Sequence, residues 1–340
     1  MAGVAMARTG IKEARYWEPL DEGRVRCRLC PHGCVLGRDQ VGLCRVRENR
    51  DGTLCALNYE RVTSINHDPI EKKPLFHFYP GRNILSLGTV GCNLACAFCQ
   101  NWSISQAATG TTRLSVGRAV ELAREREDNL GIAYTYNEPF IWFEFVREAA
   151  ELVKEAGLKN VLVTNGYVNE EPLRELLPFV DAMNVDIKAM RPEFYRELCR
   201  ARAEPPRRTV EIAREQGCLV EVTNLIIPNW NDGEEEIRGL VDWLASVDPA
   251  VPLHFSRYHP AYKMTEPPTP EQTLLRAREI AREKLPYVYL GNIWTPGGED
   301  TLCPGCQRVV VERRGFSVGR IAVREGRCLH CGAEVAIIGV

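Results

Sequence analysis

The chain has 340 residues, of which 45% are hydrophobic and 26% charged, and a formal net charge of −2. That balance suits a full buried core and argues against a chain organised around one dominant charge field. No run of about 18 apolar residues offers a transmembrane helix, and the first ten residues are too short and broken for a secretory signal, so a cytoplasmic protein with no membrane role is expected.

Fourteen cysteines in such a chain read as metal ligands rather than disulfides, because the cytosol keeps thiols reduced. The first cluster is Cys27-x2-Cys30-x3-Cys34-x9-Cys44. It suits a structural zinc site or an auxiliary iron-sulfur cluster. Spacing does not decide between them, and the reading leans to zinc, with His32 as a further candidate ligand. Short strand-like runs such as 54–57 accompany it. His67, His77, Glu71, Lys72 and Lys73 follow, as a substrate entrance or a solvated charged face.

From residue 83 the chain alternates strand-like and helix-like segments. Short runs rich in Val, Ile, Leu and Tyr at 83–90, 131–136, 160–164, 182–187, 219–227, 252–258 and 287–293 read as buried parallel strands. Helical periods lie at 116–126, 139–156 (with Phe140, Phe143, Val146 and Leu152 as its apolar stripe), 209–216, 234–244 and 270–285. Glu204-Pro205-Pro206 reads as a turn ahead of the third of these. Such repeats make an α/β fold with right-handed crossovers, as a complete or partial TIM-type barrel of about six or seven parallel strands, an open doubly wound sheet being the competing topology. Functional groups then collect at the carboxyl ends of the strands. Trp102, Tyr262 and Trp294 are expected in the core or as apolar walls.

Just past the first of these strands comes Cys92-x3-Cys96-x2-Cys99. Three thiolates hold only three irons of a four-iron cluster, which leaves one iron with an open position for chemistry. Cys55, Cys199 and Cys218 stand alone and read as small buried hydrophobes.

A breaker-rich stretch at 295–300 precedes a tail with two knuckles, Cys303-x2-Cys306 and Cys328-x2-Cys331. Four thiolates so spaced close a tetrahedron around zinc or iron, with His330 as a spacer. Strand-like runs at 309–311 and 320–323 suggest a zinc-ribbon or rubredoxin-like module. Three regions result: a Cys-rich metal-binding region at 1–80, the barrel at 81–294 and the ribbon at 295–340.

The triplet, with the aromatic Phe98 before its last cysteine, resembles the radical S-adenosylmethionine (SAM) superfamily. The run 66–81, the Cys-x2-Cys-Pro-His-x-Cys pattern, the segment 134–139 and the tail knuckles are similar to the AmmeMemoRadiSam-system enzymes, relatives of the pyruvate formate-lyase activating enzyme. The resemblance implies that Cys92, Cys96 and Cys99 bind a [4Fe-4S] cluster, that SAM chelates its open iron, and that reductive cleavage gives methionine and a 5′-deoxyadenosyl radical that abstracts hydrogen from a substrate.

It further implies SAM contacts from Phe98, beside the adenine, and from Tyr136, Asn137, Glu138 and Pro139, near the methionine amino group. Asn165, Asp186 and Lys188 would follow at the next strand ends, and His259 at the ribose. Asn137 replaces a family glycine. Val163 stands where the activating enzymes carry an aspartate, and Thr223 where they carry an arginine; both departures argue against a plain glycyl-radical activase, which stays the alternative. A flavodoxin- or ferredoxin-type reductant, an unidentified small-molecule, peptide or protein substrate, and Memo-type and AMMECR-type pathway partners are implied. A non-catalytic metal protein that meets RNA through tail arginines is the reading from another class. With zinc in both outer sites, about four irons and about two zincs are expected per chain.

Overall fold

The computed structural model describes residues 11–340; residues 1–10, read above as carrying no signal, lie outside them. The central sheet has eight strands: β1 (Ser64–Pro69), β2 (Asn83–Gly88), β3 (Asn129–Tyr134), β4 (Lys159–Thr164), β5 (Ala182–Asp186), β6 (Leu219–Ile226), β7 (Leu253–Arg257) and β8 (Val288–Gly291). They lie side by side in chain order. β2 to β8 are parallel, and β1 is antiparallel to β2. The strands read from the sequence are all present, with ends shifted by a residue or two. β1 is the addition: its polar run Ser-Ile-Asn-His-Asp-Pro hides its strand character, and it sets part of the 1–80 region into the sheet's edge.

Five helices follow the predicted periods: α1 (Val116–Arg124), α2 (Phe143–Glu155), α4 (Glu204–Glu215), α5 (Glu234–Val247) and α6 (Glu271–Arg282), with α3 (Glu170–Leu176) added between β4 and β5. Ser115 caps α1 by accepting the Arg118 N–H at 3.3 Å. Pro205 and Pro206 do not form a turn ahead of α4. They sit in its first turn, where a missing N–H costs nothing. In α2 the buried face is Phe143, Phe145, Val146, Ala149, Ala150 and Val153, while Leu152 is exposed. Of the expected stripe, Phe140, Phe143 and Val146 are buried; Leu152 is not, because at 3.6 residues per turn it lies opposite Phe143. Each of Phe143 and Phe145, fully buried, contributes about 1.5–3 kcal/mol.

The outer faces of the strands (Leu85, Ile132, Leu162, Met183, Val220, Leu253 and others) pack on these helices in one large apolar cluster. At the amino ends of the strands the segment after β1 crosses the sheet. The Pro74 carbonyl accepts Asn184 Nδ2 at 2.8 Å, and Glu221 Oε1 accepts the His77 N–H at 2.7 Å. His77 Nε2 lies 2.6 Å from the Tyr289 hydroxyl of β8. Glu71 and Lys73 are therefore buried rather than a solvated face, and only Lys72 and His67 point outward.

The N-terminal region forms two small three-stranded antiparallel sheets. Its Arg47 is ion-paired with Glu144 of α2 at 2.6 Å, both almost wholly buried. In the tail, Val309–Arg314 pairs antiparallel with Ser317–Ile321. Its Arg313 is also buried and donates to the Phe76 carbonyl, which ties the tail to the segment after β1 and removes one tail arginine from any surface role.

Candidate active site

The loop after β2 carries Cys92, Cys96 and Cys99 across the carboxyl ends of the sheet. Two glycines make this path available. A Cβ on Gly88 would lie 2.9 Å from the Tyr136 ring, and one on Gly91 (φ +90°) would lie 2.4 Å from the Cys44 carbonyl oxygen. The loop is then held from several sides. Asn137 accepts the Thr89 N–H at 3.1 Å and donates to the Gly91 carbonyl at 2.7 Å, two bonds that a glycine in its place could not make. The Ala95 and Ala97 N–H groups donate to the carbonyls of Cys199 and Leu198.

Polar groups lie against two of the three sulfurs. The Leu94 N–H lies 3.4 Å and Asn165 Nδ2 3.6 Å from Cys92 Sγ, and Ser105 Oγ lies 3.2 Å from Cys99 Sγ. Hydrogen bonds to the sulfurs are one of the ways a protein sets a cluster's potential. The three thiols do not lie within 4.8 Å of one another; among the described residues only the tail cysteines form such a group. The triplet thus lacks the close grouping that a single ion imposes.

Glu138 is 1% exposed. Its Oε1 accepts from the Phe140 N–H at 3.0 Å and from Thr164 Oγ1 at 2.8 Å, and its Oε2 from the Asn165 N–H at 2.8 Å. It therefore caps the turn that begins at Pro139 and clamps the end of β3 to the end of β4. Burial pushes its carboxyl up to about 7 against the lowering by those three donors. Tyr136 takes a left-handed backbone (φ +71°) that turns its carbonyl to Asn101 Nδ2 at 2.7 Å, while its hydroxyl donates to Asp68 at 2.5 Å.

At the end of β5, Lys188 Nζ lies 3.2 Å from Asp186 and 5.7 Å from the centre of the Phe98 ring. Burial lowers the Lys188 pKa, but Asp186 and the thiols of Cys96 and Cys199 outweigh it and hold the ammonium charged. Phe98 is buried and packs on Phe194 at 5.7 Å. Val163 and Thr223 are partly exposed on β4 and β6, beside Asn184 and Asp186 in register. The Thr223 hydroxyl and that of the fully buried Tyr258 have no hydrogen-bond partner. His259 stands exposed at the rim past β7.

Phe98, Tyr136, Asn137, Glu138, Pro139, Asn165, Asp186 and Lys188 thus lie with the triplet at the carboxyl ends of the strands, and His259 follows β7 at the same end, exposed. Sequence reasoning missed Asn93, which accepts Asn165 Nδ2 at 2.9 Å, and Ser105. It also missed Cys199: this thiol is buried, as a small hydrophobe should be, but it shares one buried cluster with Cys96, and its carbonyl accepts from the triplet loop at Ala95. Only the π-helical turn at Tyr195–Cys199 brings it there, and no spacing signals that. Trp102 and Tyr262 are not core. They stack at 5.4 Å near the rim with 42% and 37% exposure, and Trp294 is more exposed still.

In the tail, Cys303, Cys306, Cys328 and Cys331 place all four sulfurs within 4.8 Å of one another. The Cys303–Cys331 and Cys306–Cys328 separations are 3.6 and 3.9 Å. Thiolates on one ion at about 2.3 Å stand ~3.8 Å apart, so the set fits a single tetrahedral metal.

Comparison with known proteins agrees with this geometry. The radical SAM superfamily model matches residues 86–244. An uncharacterised protein of Methanocaldococcus jannaschii is 43% identical over 336 residues, covering 96% of this chain and 100% of its own. The pyruvate formate-lyase 1-activating enzyme of Escherichia coli K12 is 23% identical over 178 residues, 50% of this chain and 71% of that one. Among solved structures, Streptococcus suis SuiB bound to its precursor peptide SuiA shares the fold over 67% of this chain and 52% of that one, with a TM-score of 0.51 and 15% identity.

Proposed function

The chain belongs to the radical SAM superfamily and is related to the pyruvate formate-lyase activating enzymes; on that premise we propose that it is an enzyme acting through a [4Fe-4S] cluster on Cys92, Cys96 and Cys99. Cys92, Cys96 and Cys99 would hold that cluster, which when bound would supply one electron for cleavage of SAM to methionine and a 5′-deoxyadenosyl radical able to take hydrogen from a substrate. The observation that carries this reading is the triplet's place at the carboxyl edge, beside Asn165, Asp186 and Lys188.

The chain's own residues have three tasks in it. Asn165 and the Leu94 N–H steady the Cys92 sulfur. Glu138 takes three donors from its own chain, so it acts as the clamp that shapes the β3 and β4 ends and would place the backbone of 135–137 beside the methionine ammonium. The unpartnered hydroxyls of Thr223 and Tyr258 and the charged Lys188 would meet SAM or substrate. Buried apolar neighbours such as Phe98, Phe194 and Tyr258 keep water from the reacting carbon.

The glycyl-radical activase alternative draws on the activating-enzyme relatives alone. Against it stands Val163, which replaces the activating enzymes' aspartate and pairs in register with Asn184. A flavodoxin- or ferredoxin-type donor, Memo-type and AMMECR-type partners and zinc in the tail complete the proposal. The test is anaerobic reconstitution with iron and sulfide, then SAM and dithionite. Release of 5′-deoxyadenosine and methionine is expected, with none from Cys96→Ala. A wild-type protein with a full cluster and no cleavage would refute it. Transfer of deuterium between deoxyadenosine and a cell-extract compound would then identify the substrate.

A further inference from the structure

We infer that Cys27, Cys30, Cys34 and Cys44 hold a second iron-sulfur cluster, not zinc, one residue layer away from the Cys92–Cys99 loop. All four line a single cavity, otherwise walled largely by Leu29, Leu36, Leu43 and Ile141. Cys34 and Cys44 flank Gly42, each sulfur 3.8 Å from where a Cβ would stand.

The spacing of the sulfurs separates the two metals. The tail quartet has collapsed to the edge lengths of one tetrahedron. No three sulfurs of the N-terminal quartet come within 4.8 Å of one another, and in this the quartet matches the Cys92 triplet. A single zinc draws its thiolates to about 3.8 Å separation, whereas a multi-iron cluster seats them on separate irons and keeps them apart. The tail quartet therefore has the spacing of one ion, and the N-terminal quartet does not.

A second observation points to a bound group in this cavity. Arg47 lines the cavity, is 1% exposed, and its Nε–H has no hydrogen-bond partner. Its other nitrogens are engaged by the Arg15 carbonyl and Glu144. A buried N–H is seldom left unpaired, and the sulfur of a bound cluster is an acceptor for it.

The site adjoins the first cluster loop directly. Asn93, next to Cys92, lines the cavity, and its carbonyl lies 2.8 Å from His32 Nε2. The Cys44 carbonyl presses on Gly91, and Cys30 shares an apolar cluster with Cys96 and Phe98. His32 is thus a strut between the two loops rather than a ligand.

Metal analysis of the full chain, reconstituted anaerobically with iron, sulfide and zinc all present, tests this. The inference expects about eight irons and about one zinc per chain. The Cys92→Ala/Cys96→Ala/Cys99→Ala variant, checked for fold by circular dichroism, should keep about half the iron and a cluster absorption band. Adding Cys27→Ser and Cys30→Ser should remove the rest. In the dithionite-reduced wild type, the electron paramagnetic resonance signals should be broadened by spin coupling and sharpen in the triple variant. About four irons in the wild type, or a folded triple variant without iron, would overturn the inference. Neither result depends on SAM cleavage, so the proposed activity can fail while this site stands.

Discussion

Asn165 Nδ2 reaches Cys92 Sγ at 3.6 Å from the end of the neighbouring strand but one, so the sheet itself sets a hydrogen bond onto a cluster ligand. Such a bond favours the more negative, reduced state of the cluster. Asn165→Ala should leave the iron content intact and lower the midpoint potential. A difference of about 1 kcal/mol in bond strength between the two states corresponds to ~40 mV for one electron. A redox titration followed by electron paramagnetic resonance reads it; an unchanged potential would show that the contact does not tune the cluster.

The burial of Cys96 and Cys199 in one cluster gives a second prediction. In metal-free protein exposed to air these thiols should oxidise to a disulfide, with oxygen as the oxidant, and block reconstitution until a reductant is added. Cys199→Ala should remain reconstitutable after the same exposure and keep a full cluster, because the triplet suffices to hold it. Peptide mapping by mass spectrometry detects the bond. A Cys199→Ala protein unable to hold the Cys92–Cys99 cluster would instead make Cys199 a ligand.

The Arg47–Glu144 pair anchors the N-terminal region to α2 inside the core. Glu144→Ala leaves a buried guanidinium without its carboxylate, which costs about 3–5 kcal/mol. Arg47→Met/Glu144→Leu removes both charges and should recover much of that loss. The urea midpoint of each variant, measured under anaerobic conditions, tests the order; a single variant as stable as wild type would contradict it.

His77 fixes a pH dependence. Burial lowers its pKa from the usual 6.5 to about 4, with Glu221 opposing and Arg313 and His254 adding to the lowering. Its ring also faces Tyr287 and Tyr289. The folded state thus binds fewer protons than the unfolded one between those values, so stability is full above pH 6.5 and falls as pH drops toward 4, by at most about 3 kcal/mol. Glu221 acts in a lower window. Burial raises its pKa, but His254 and His77 outweigh this, so its contribution is lost only below the ordinary glutamate range. Denaturation midpoints of His77→Gln should vary less than wild type between pH 6.5 and 4; equal slopes would rule the assignment out.

The sequence showed the wall of strands well because buried parallel strands are nearly continuous runs of Val, Ile and Leu, as at Val161, Leu162 and Val163 of β4. It showed the triplet and the tail knuckles because metal ligands come at short fixed spacings. It did not show β1, whose polar residues pair with β2 at the sheet's edge, nor the burial of Glu71 and Lys73, which depends on partners such as Asp68 and on a tail more than 200 residues away. Glu138 was legible as important, but its task depends on three donors from two other positions in space. The exposure of Trp102 and Tyr262 was likewise hidden, since an aromatic pair at a rim has the same letters as one in a core.

The most direct test of the central claim uses electron paramagnetic resonance on the Cys27→Ser/Cys30→Ser variant, whose reduced signal comes from the Cys92–Cys99 cluster alone. Adding SAM should change that signal, because the cosubstrate takes the iron that no cysteine holds. A spectrum indifferent to SAM, from a protein with its cluster fully assembled, would contradict the account.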